Sequence, residues 1–309
     1  MKSIEDSFPN TPKKPLISVA LCTYNAGEYL EKQLLSIFAQ TYKNIEIVVV
    51  DDRSNDGTYE YLIKLQEQNK QLKVFRNEFN LGFNKNFEKA ISLCTGDFIA
   101  ISDQDDIWIP EKLSVLSDNI GNNWLAFSNS DLIDKNDQPL GKTLLNIDFN
   151  ISERTFKSII LNNYVTGHTT LFSKNFVKYF SPIPAVGYYD WWMGFIAHYH
   201  DKITYVNRCL TLYRVHHKSV IGSISSMDKK KLKKAICSDL TTQLISFKSY
   251  KNLTSKDRDL IRKIATAYQR RFSLYFVWII ISRYNSYLPD QKPRSLLARF
   301  FYALKFKVK

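Results

Sequence analysis

The sequence predicts an α/β protein: an open sheet flanked by helices, its site at one edge, followed by a basic helical extension. Three observations carry this. Ile45 to Val50 and Phe98 to Ile101 are mostly unbroken apolar runs, as in strands buried on both faces of a parallel sheet. Apolar residues between such runs recur at helical spacing. The runs end in polar or acidic residues, and open α/β sheets carry their ligands at that edge.

Taken in order, Leu16 to Cys22 is the first strand, and Thr23-Tyr24-Asn25-Ala26-Gly27 is the loop after it. Leu30, Leu34, Ile37 and Phe38 then share one helical face. Ile45 to Val50 is the second strand and ends at Asp51-Asp52, where Asn55 or Asp56 can cap a helix running through Gln66. Leu72 to Phe75 is a third strand. Phe83, Phe87, Ala90, Ile91 and Cys94 space out as the buried face of a helix beginning near Asn84. Phe98 to Ile101 follows and empties into Asp103-Gln104-Asp105-Asp106. Trp124 to Asp131 reads as a strand, Asp134 to Gly141 as a turn-rich excursion, and Thr166 to Phe172 as a loop feeding a strand. Gly187 to Phe195 opens a helix. Ile203 to Val206 and Leu210 to Val215 are expected as two short strands.

The last third differs. Leu232, Ile236, Leu240, Leu244 and Phe247 are spaced as a helix, and a second helix is expected from about Lys256 to Ser282. Its run Phe272 to Ile281 is about 15 Å long, roughly half a hydrocarbon core, so it does not span a bilayer. After Pro289 and Pro293, Leu296, Leu297, Phe300, Phe301 and Leu304 alternate with Arg294, Arg299, Lys305, Lys307 and Lys309. A cationic aromatic helix of this kind lies in an anionic membrane interface, or else packs as a terminal core helix or an oligomer contact.

The 309 residues suffice for one large core or two modest ones, and 44% hydrophobic with 24% charged residues describes a globular chain. Of the net charge of +13, residues 229–309 hold 20 Lys/Arg against four acids, leaving 23 basic and 26 acidic groups before them. This marks a boundary near Ser225 to Lys229 and an anionic surface as the tail's partner. Residues 1–15 form a polar arm without the apolar stretch of a signal peptide, and Cys22, Cys94, Cys209 and Cys237 are widely spaced in apolar surroundings. Both fit a cytoplasmic protein with reduced thiols.

The acids are the chemical centre. Three carboxylates in four residues repel one another, and a divalent cation with oxygen ligands would make them tolerable; a solvated acidic turn is the plainer alternative. A nucleotide would suit the same crevice, with Asp52 accepting from a pyrimidine N3–H, Thr23 and Asn25 on the base, and Asp103 at a ribose hydroxyl. Neither a Gly-x-Gly-x-x-Gly fingerprint nor a Walker-type loop is present, so the phosphates must be neutralised by a metal at Asp105. Asp190 is a base or a helix cap, and Trp191 and Trp192 beside it would build a wall that raises its basicity and stacks on a sugar. His216, two residues after Arg214 at a strand end, suits a phosphate–metal site.

Val19 to Asn25, Val48 to Thr58, Asn80 to Asn86 and Ser102 to Trp108 resemble, in order, the motifs of family 2 glycosyltransferases, the bacterial rhamnosyl- and hexosyltransferase branch in particular. The likeness runs from about Ile17 to Ile221. It implies the GT-A fold, a Rossmann-like open mixed sheet flanked by helices, over residues 16–225, with residues 226–309 outside the family's motifs. By position it implies nucleotide contacts from Thr23, Asn25, Asp52 and Asp103, with Asp103 and Asp105 as the Asp-x-Asp motif. It implies Asp105 and His216 on Mn²⁺ or Mg²⁺, Arg214 at the diphosphate, and Asp190 as general base. The family often has a second acid before the base, where this chain has Tyr189, and Asn three residues after the His, where it has Ser219. The implied reaction is inverting transfer from a UDP- or dTDP-sugar to a lipid-linked saccharide, at the cytoplasmic membrane face, in surface polysaccharide synthesis. Hydrolysis by paired carboxylates would need no nucleotide site. A nucleic-acid-binding protein would use the basic aromatic tail; the transferase reading expects no nucleic acid.

Overall fold

The computed structural model describes residues 14–216, 229–270, 273–289 and 295–308, with side chains described for 239–270 and up to Ala303 in the C-terminal region. The expected N-terminal arm up to Lys13, Ser219, Arg294 and Lys309, and the side chains of Leu232, Ile236, Cys237, Leu304, Lys305 and Lys307 lie outside these.

The apolar runs become the centre of the sheet. β1 (Ile17–Thr23), β2 (Ile45–Asp51), β3 (Leu72–Arg76) and β4 (Phe98–Ser102) are parallel, β1 lying between β2 and β4. β5 (Ile107–Trp108), β6 (Leu125–Ile133), β7 (Pro139–Thr143), β8 (Thr170–Ser173) and β9 (Ile203–Arg214) complete it. The order is β3-β2-β1-β4-β8-β6-β9-β5, with β7 paired to β6. β8 runs antiparallel to β4 and β6, whereas β6 and β9 are parallel, so the sheet is mixed. The expected pair of short strands near 203–215 is one strand. Asn207 and Arg208 interrupt its apolar pattern where its register against β6 shifts at Asn129, a bulge and not a chain break.

β1, β2 and β3 are each followed by a helix. α1 (Leu30–Phe38) and α4 (Lys112–Ile120) cover one face, packing on Ile17, Val19, Leu21, Ile47 and Val49. On the same face, α2 (Thr58–Gln68) contributes Leu62. It begins where Asp56 accepts the Thr58 amide at 3.1 Å. The other residues of β1 and β2, Ala20, Cys22, Val48 and Val50, face α3 (Phe83–Leu93), α5 (Phe156–Leu161) and α7 (Tyr189–Tyr199). A short α6 (Val177–Phe180) precedes α7. Phe83, expected on the buried face of α3, is instead exposed. The expected helix 256–282 is two: α9 (Ser255–Gln269) ends, and α10 (Leu274–Ser282) restarts where Ser273 accepts the Phe276 amide at 3.3 Å.

With α8 (Lys229–Ser249), α11 (Tyr284–Tyr287) and α12 (Leu296–Val308), these helices share the core beside α5 and α7, through Leu244, Phe247, Ile261, Ile280 and Ala303. None of the described helices is long and apolar enough to cross a membrane. Cys22 and Cys94 are buried free thiols, while Cys209 is only half-buried.

Glu46, buried inside β2, accepts from Ser18 Oγ at 2.5 Å, from the Thr95 amide and hydroxyl at 2.6 and 2.8 Å, and from Lys73 Nζ at 2.6 Å. Burial alone would raise its pKa, but these partners bring it down to about 2. A depressed carboxylate stabilises the fold above its unfolded pKa and stops doing so as pH falls through the folded value. Glu46→Gln is therefore expected to cost on the order of 2–3 kcal/mol at pH 7, discounted for the half-exposed Lys73. The gap from wild type in urea midpoints should close as pH drops from about 4.5 toward 2.

Candidate active site

The C-terminal ends of β1, β2 and β4 meet the loop after β9 and the start of α7, and every site residue expected from the sequence lies along this edge. Thr23 closes β1, its hydroxyl donating to Asp51 Oδ1 at 3.1 Å. Asp51, fully buried, also accepts from the Ser54 amide and hydroxyl and lies 3.5 Å from Arg76, so it shapes the turn. Asp52 accepts from Asn77 Nδ2 at 2.7 Å and from the Leu81 and Gly82 amides at 2.8 and 2.9 Å. An ionised carboxylate has about four acceptor positions, so roughly one remains for a ligand. Asn25 sits at φ 48°, its Oδ1 accepting the Asn55 amide at 3.0 Å. Gln104 fastens the acidic loop to the first one, accepting from the Tyr24 amide at 2.8 Å and donating to its carbonyl at 3.2 Å.

The acids divide into two groups. Asp105 Oδ2 lies 2.7 Å from His216 Nε2. Asp103 and the fully buried Asp106 instead flank His168, whose Nδ1 is 3.7 and 3.8 Å from their carboxylate oxygens. The ligand atoms of these three residues all lie within 4.8 Å of one another. His168 Nε2 is 3.0 Å from Ser130 Oγ, and its ring stacks on Tyr213. Burial opposes a charged His168, yet the charges of Asp106 and Asp103 carry its pKa above the ordinary value. Burial, with Asp105 and Asp103 adding to it, raises Asp106, while His168 opposes. Beneath them Lys112, also buried, donates to the His168 carbonyl at 2.5 Å and to Thr211 Oγ1 at 2.9 Å.

A divalent ion fits this donor set. Ligands about 2.1 Å from an octahedral ion stand about 3 Å apart, close to the Asp105–His216 spacing. Carboxylate oxygens suit Mg²⁺ or Mn²⁺, and the imidazole of His216 favours the softer Mn²⁺ of the two.

Arg214 is wholly buried. Its Nε donates to the Asp105 carbonyl at 2.8 Å, Nη1 donates to the Asp134 carbonyl at 3.2 Å and pairs with Asp137, and the guanidinium lies 4.5 Å over the Tyr29 ring. Nη2 has no hydrogen-bond partner among the described residues. The arginine is thus held beside the acids with one donor group unspent. The turn-rich excursion supplies its counter-charge through Asp137, which also pairs with Lys32.

Asp190 lies in the first turn of α7, after the boundary residue Tyr188, so it is not the cap. Its Oδ1 accepts the Trp191 amide at 2.6 Å and its Oδ2 the Gly167 amide at 3.2 Å. Asn163 Nδ2 is 3.4 Å away. Burial raises its pKa to about 6, against the two amides. The tryptophans do not form the expected sugar-stacking wall. Both are buried, Trp191 Nε1 donating to the Ile159 carbonyl and Trp192 Nε1 to the Phe180 carbonyl. Tyr189, which occupies the position just before Asp190, lies under Gly167, and a Cβ on Gly167 would come within 2.0 Å of its hydroxyl. The glycine is required by this close approach.

Sequence reasoning passed over His168, Asp106 as its partner, Lys112 and Asp137. The first three come from the turn before β8, the loop after β4 and the start of α4, and no local pattern in the sequence joins them.

The sequence profile of Glycosyl transferase family 2 matches residues 18–180. An uncharacterised glycosyltransferase of Methanocaldococcus jannaschii, MJ1057, is 31% identical over 71% of this chain and 77% of its own. The Escherichia coli enzyme WfgD, a UDP-Glc:α-D-GlcNAc-diphosphoundecaprenol β-1,3-glucosyltransferase, is 32% identical over 39% of this chain and 48% of its own. The match to a Haemophilus influenzae glycosyltransferase spans 34% of each chain. Among solved structures, Staphylococcus aureus TarS 1–349 with UDP-GlcNAc superposes with a TM-score of 0.61 at 18% identity, covering 94% of this chain and 80% of TarS. The mannosyltransferase PcManGT of Pyrobaculum calidifontis, with GDP-Man and Mn²⁺, gives 0.58 at 16% over 99% and 90%. At these identities the likeness is one of fold, and the fold is GT-A. Strand order, acidic strand ends and profile agree, and the chain belongs to glycosyl transferase family 2.

Proposed function

We propose that this glycosyltransferase moves a sugar, with inversion, from a UDP- or dTDP-linked donor to a hydroxyl of a lipid-linked saccharide in bacterial surface polysaccharide synthesis. The observation that carries the reading is the position of Asp190 at the acidic strand end: its carboxylate accepts the Gly167 amide, and the next residue, His168, lies against Asp103 and Asp106. Thr23, Asn25 and the remaining acceptor position of Asp52 receive the base, Asp103 a ribose hydroxyl, and the buried charge of Arg214 faces the diphosphate. Asp105 and His216 would hold Mn²⁺ or Mg²⁺, which neutralises charge on a departing nucleoside diphosphate. Asp190 takes the acceptor proton as that oxygen bonds to the anomeric carbon and the bond to the diphosphate breaks. The names of TarS and WfgD, with UDP-GlcNAc and a diphosphoundecaprenol-linked acceptor, support the two substrate classes. A panel of UDP- and dTDP-sugars, assayed for metal-dependent hydrolysis or transfer, tests this. Failure of every nucleotide sugar to bind or turn over would end it.

The lipid-linked acceptor implies a peripheral enzyme on the inner membrane face. Leu296, Leu297, Phe300 and Phe301 of α12 are exposed, as are Leu274 and Trp278 of the adjoining α10, on the region with the large basic excess. Each Lys or Arg near an anionic surface contributes about 1 kcal/mol. Ala303 is fully buried, so truncation would uncover core. Leu297→Glu with Phe301→Glu, at residues 68% and 55% exposed, is the cleaner test. It is expected to abolish co-sedimentation with phosphatidylglycerol vesicles and to spare donor hydrolysis. Unchanged co-sedimentation would remove this face as the anchor, and a shift from dimer to monomer in sedimentation would assign it to self-association.

A further inference from the structure

The start of α3 and the loop that leads into α7 present a pair of aromatic rings, exposed Phe83 and half-buried Tyr188, that the reaction as described leaves unused. Phe83, the first residue of α3, is 51% exposed, and its ring lies 6.0 Å from that of Tyr188 at 31°. The pair sits between two parts of the site. Phe83 follows Gly82, whose amide Asp52 holds, and Tyr188 stands two residues before Asp190. Val186 adds a further exposed apolar group.

This surface is rigidly built. Asn84 donates to the Pro184 and Gly187 carbonyls at 2.9 and 3.0 Å and accepts the Tyr189 amide at 3.1 Å. From the other side, the Tyr188 amide donates to Gln243 at 2.7 Å and its hydroxyl to Asp239 at 2.8 Å. Ser246 Oγ donates to the Val186 carbonyl at 2.9 Å. Two elements far apart in sequence thus fix the Tyr188 half of the pair, two residues before Asp190. An exposed phenylalanine costs solvation, and nothing in the core explains its direction, since the α3 positions that pack inward are Phe87, Ala90 and Ile91.

We infer that Phe83 and Tyr188 form a stacking platform for the saccharide ring of the acceptor. The inference rests on the transferase reading and adds to it where the acceptor lies. A sugar presents an apolar C–H face and a polar rim. The ring pair answers the first, and Asn163 beside Asp190 answers the second. A platform of two rings is too small for a membrane or a protein partner and matches one hexose. Phe83 acts as a positioning residue: stacking sets which acceptor oxygen meets Asp190, and the ring touches no reacting atom.

The test uses full-length protein with UDP and methyl glycosides of glucose, galactose, mannose, rhamnose and N-acetylglucosamine, read by saturation-transfer NMR. At least one glycoside is expected to bind. Phe83→Ala should weaken it about three- to tenfold, the scale of an aromatic contact, and Phe83→Trp should restore it. UDP affinity by calorimetry should be the same in all three proteins. Equal glycoside affinity in Phe83→Ala, or no glycoside bound by wild type, would overturn the platform. A parallel loss of UDP affinity would also overturn it, by placing the ring in the nucleotide pocket. Absence of UDP or dTDP binding in wild type would instead count against the transferase reading itself.

Discussion

Asp190→Asn is expected to lower transfer at least about a hundredfold, the scale of general-base catalysis, while nucleotide affinity stays nearly unchanged. The asparagine keeps the shape, and its amide oxygen can still accept from Trp191 or Gly167, so the first turn of α7 should stand. What it loses is the lone pair that takes the acceptor proton. The wild-type rate carries a second signature. With its pKa raised to about 6, Asp190 is ionised above that value and protonated below it, so kcat/KM should rise with pH through about 6 and then level. The variant should lack this limb. A variant that keeps wild-type turnover but melts at lower temperature would make Asp190 a structural residue.

The second large effect is expected at Asp105. Asp105→Ala removes one of two ligands at the proposed cation position and leaves the Arg214 Nε contact intact, because that bond goes to the Asp105 carbonyl. Turnover should fall below detection. Mn²⁺ binding, read by electron paramagnetic resonance in the presence of UDP, should weaken at least tenfold, with the melting temperature within a few degrees of wild type. EDTA should silence wild type and Mn²⁺ restore it. Unchanged activity in the variant or in EDTA would remove the metal from the reaction. Unchanged Mn²⁺ binding with lost activity would move the ion to Asp103, Asp106 and His168, the other group whose ligand atoms lie close enough.

What could be read from sequence followed from local patterns. β1, β2 and β4 are runs whose residues pack on both faces, so a short window suffices to identify them. The polar residues at their ends were legible for the same reason. Side-chain direction was not. Trp191 and Trp192 lie on a helix that is apolar nearly all round, and such a helix is buried on every side, which no periodicity distinguishes from a wall facing a ligand. Phe83 failed in the opposite sense, counted inward on spacing when it sits a turn before the residues that pack. β9 looked like two strands because a bulge places Asn207 and Arg208 inside it. The His168 group was invisible because His168 stands 62 residues from Asp106 and 65 from Asp103, joined to them only by the antiparallel return of β8 beside β4.

The carboxylate of Asp52 spends three of its acceptor positions on the protein's own chain, two of them on the consecutive amides of Leu81 and Gly82. Gln104 does likewise for the loop at Tyr24. The walls of this crevice are therefore ordered before any ligand arrives. Fixing a loop residue costs about 1–2 kcal/mol of backbone entropy, and here that cost falls on folding and not on binding. Affinity for the nucleotide should then depend little on chain length or flexibility around the loops. Loosening either clamp, as in Gln104→Ala, would show chiefly as a larger unfavourable entropy of nucleotide binding in calorimetry, with the binding enthalpy nearly preserved.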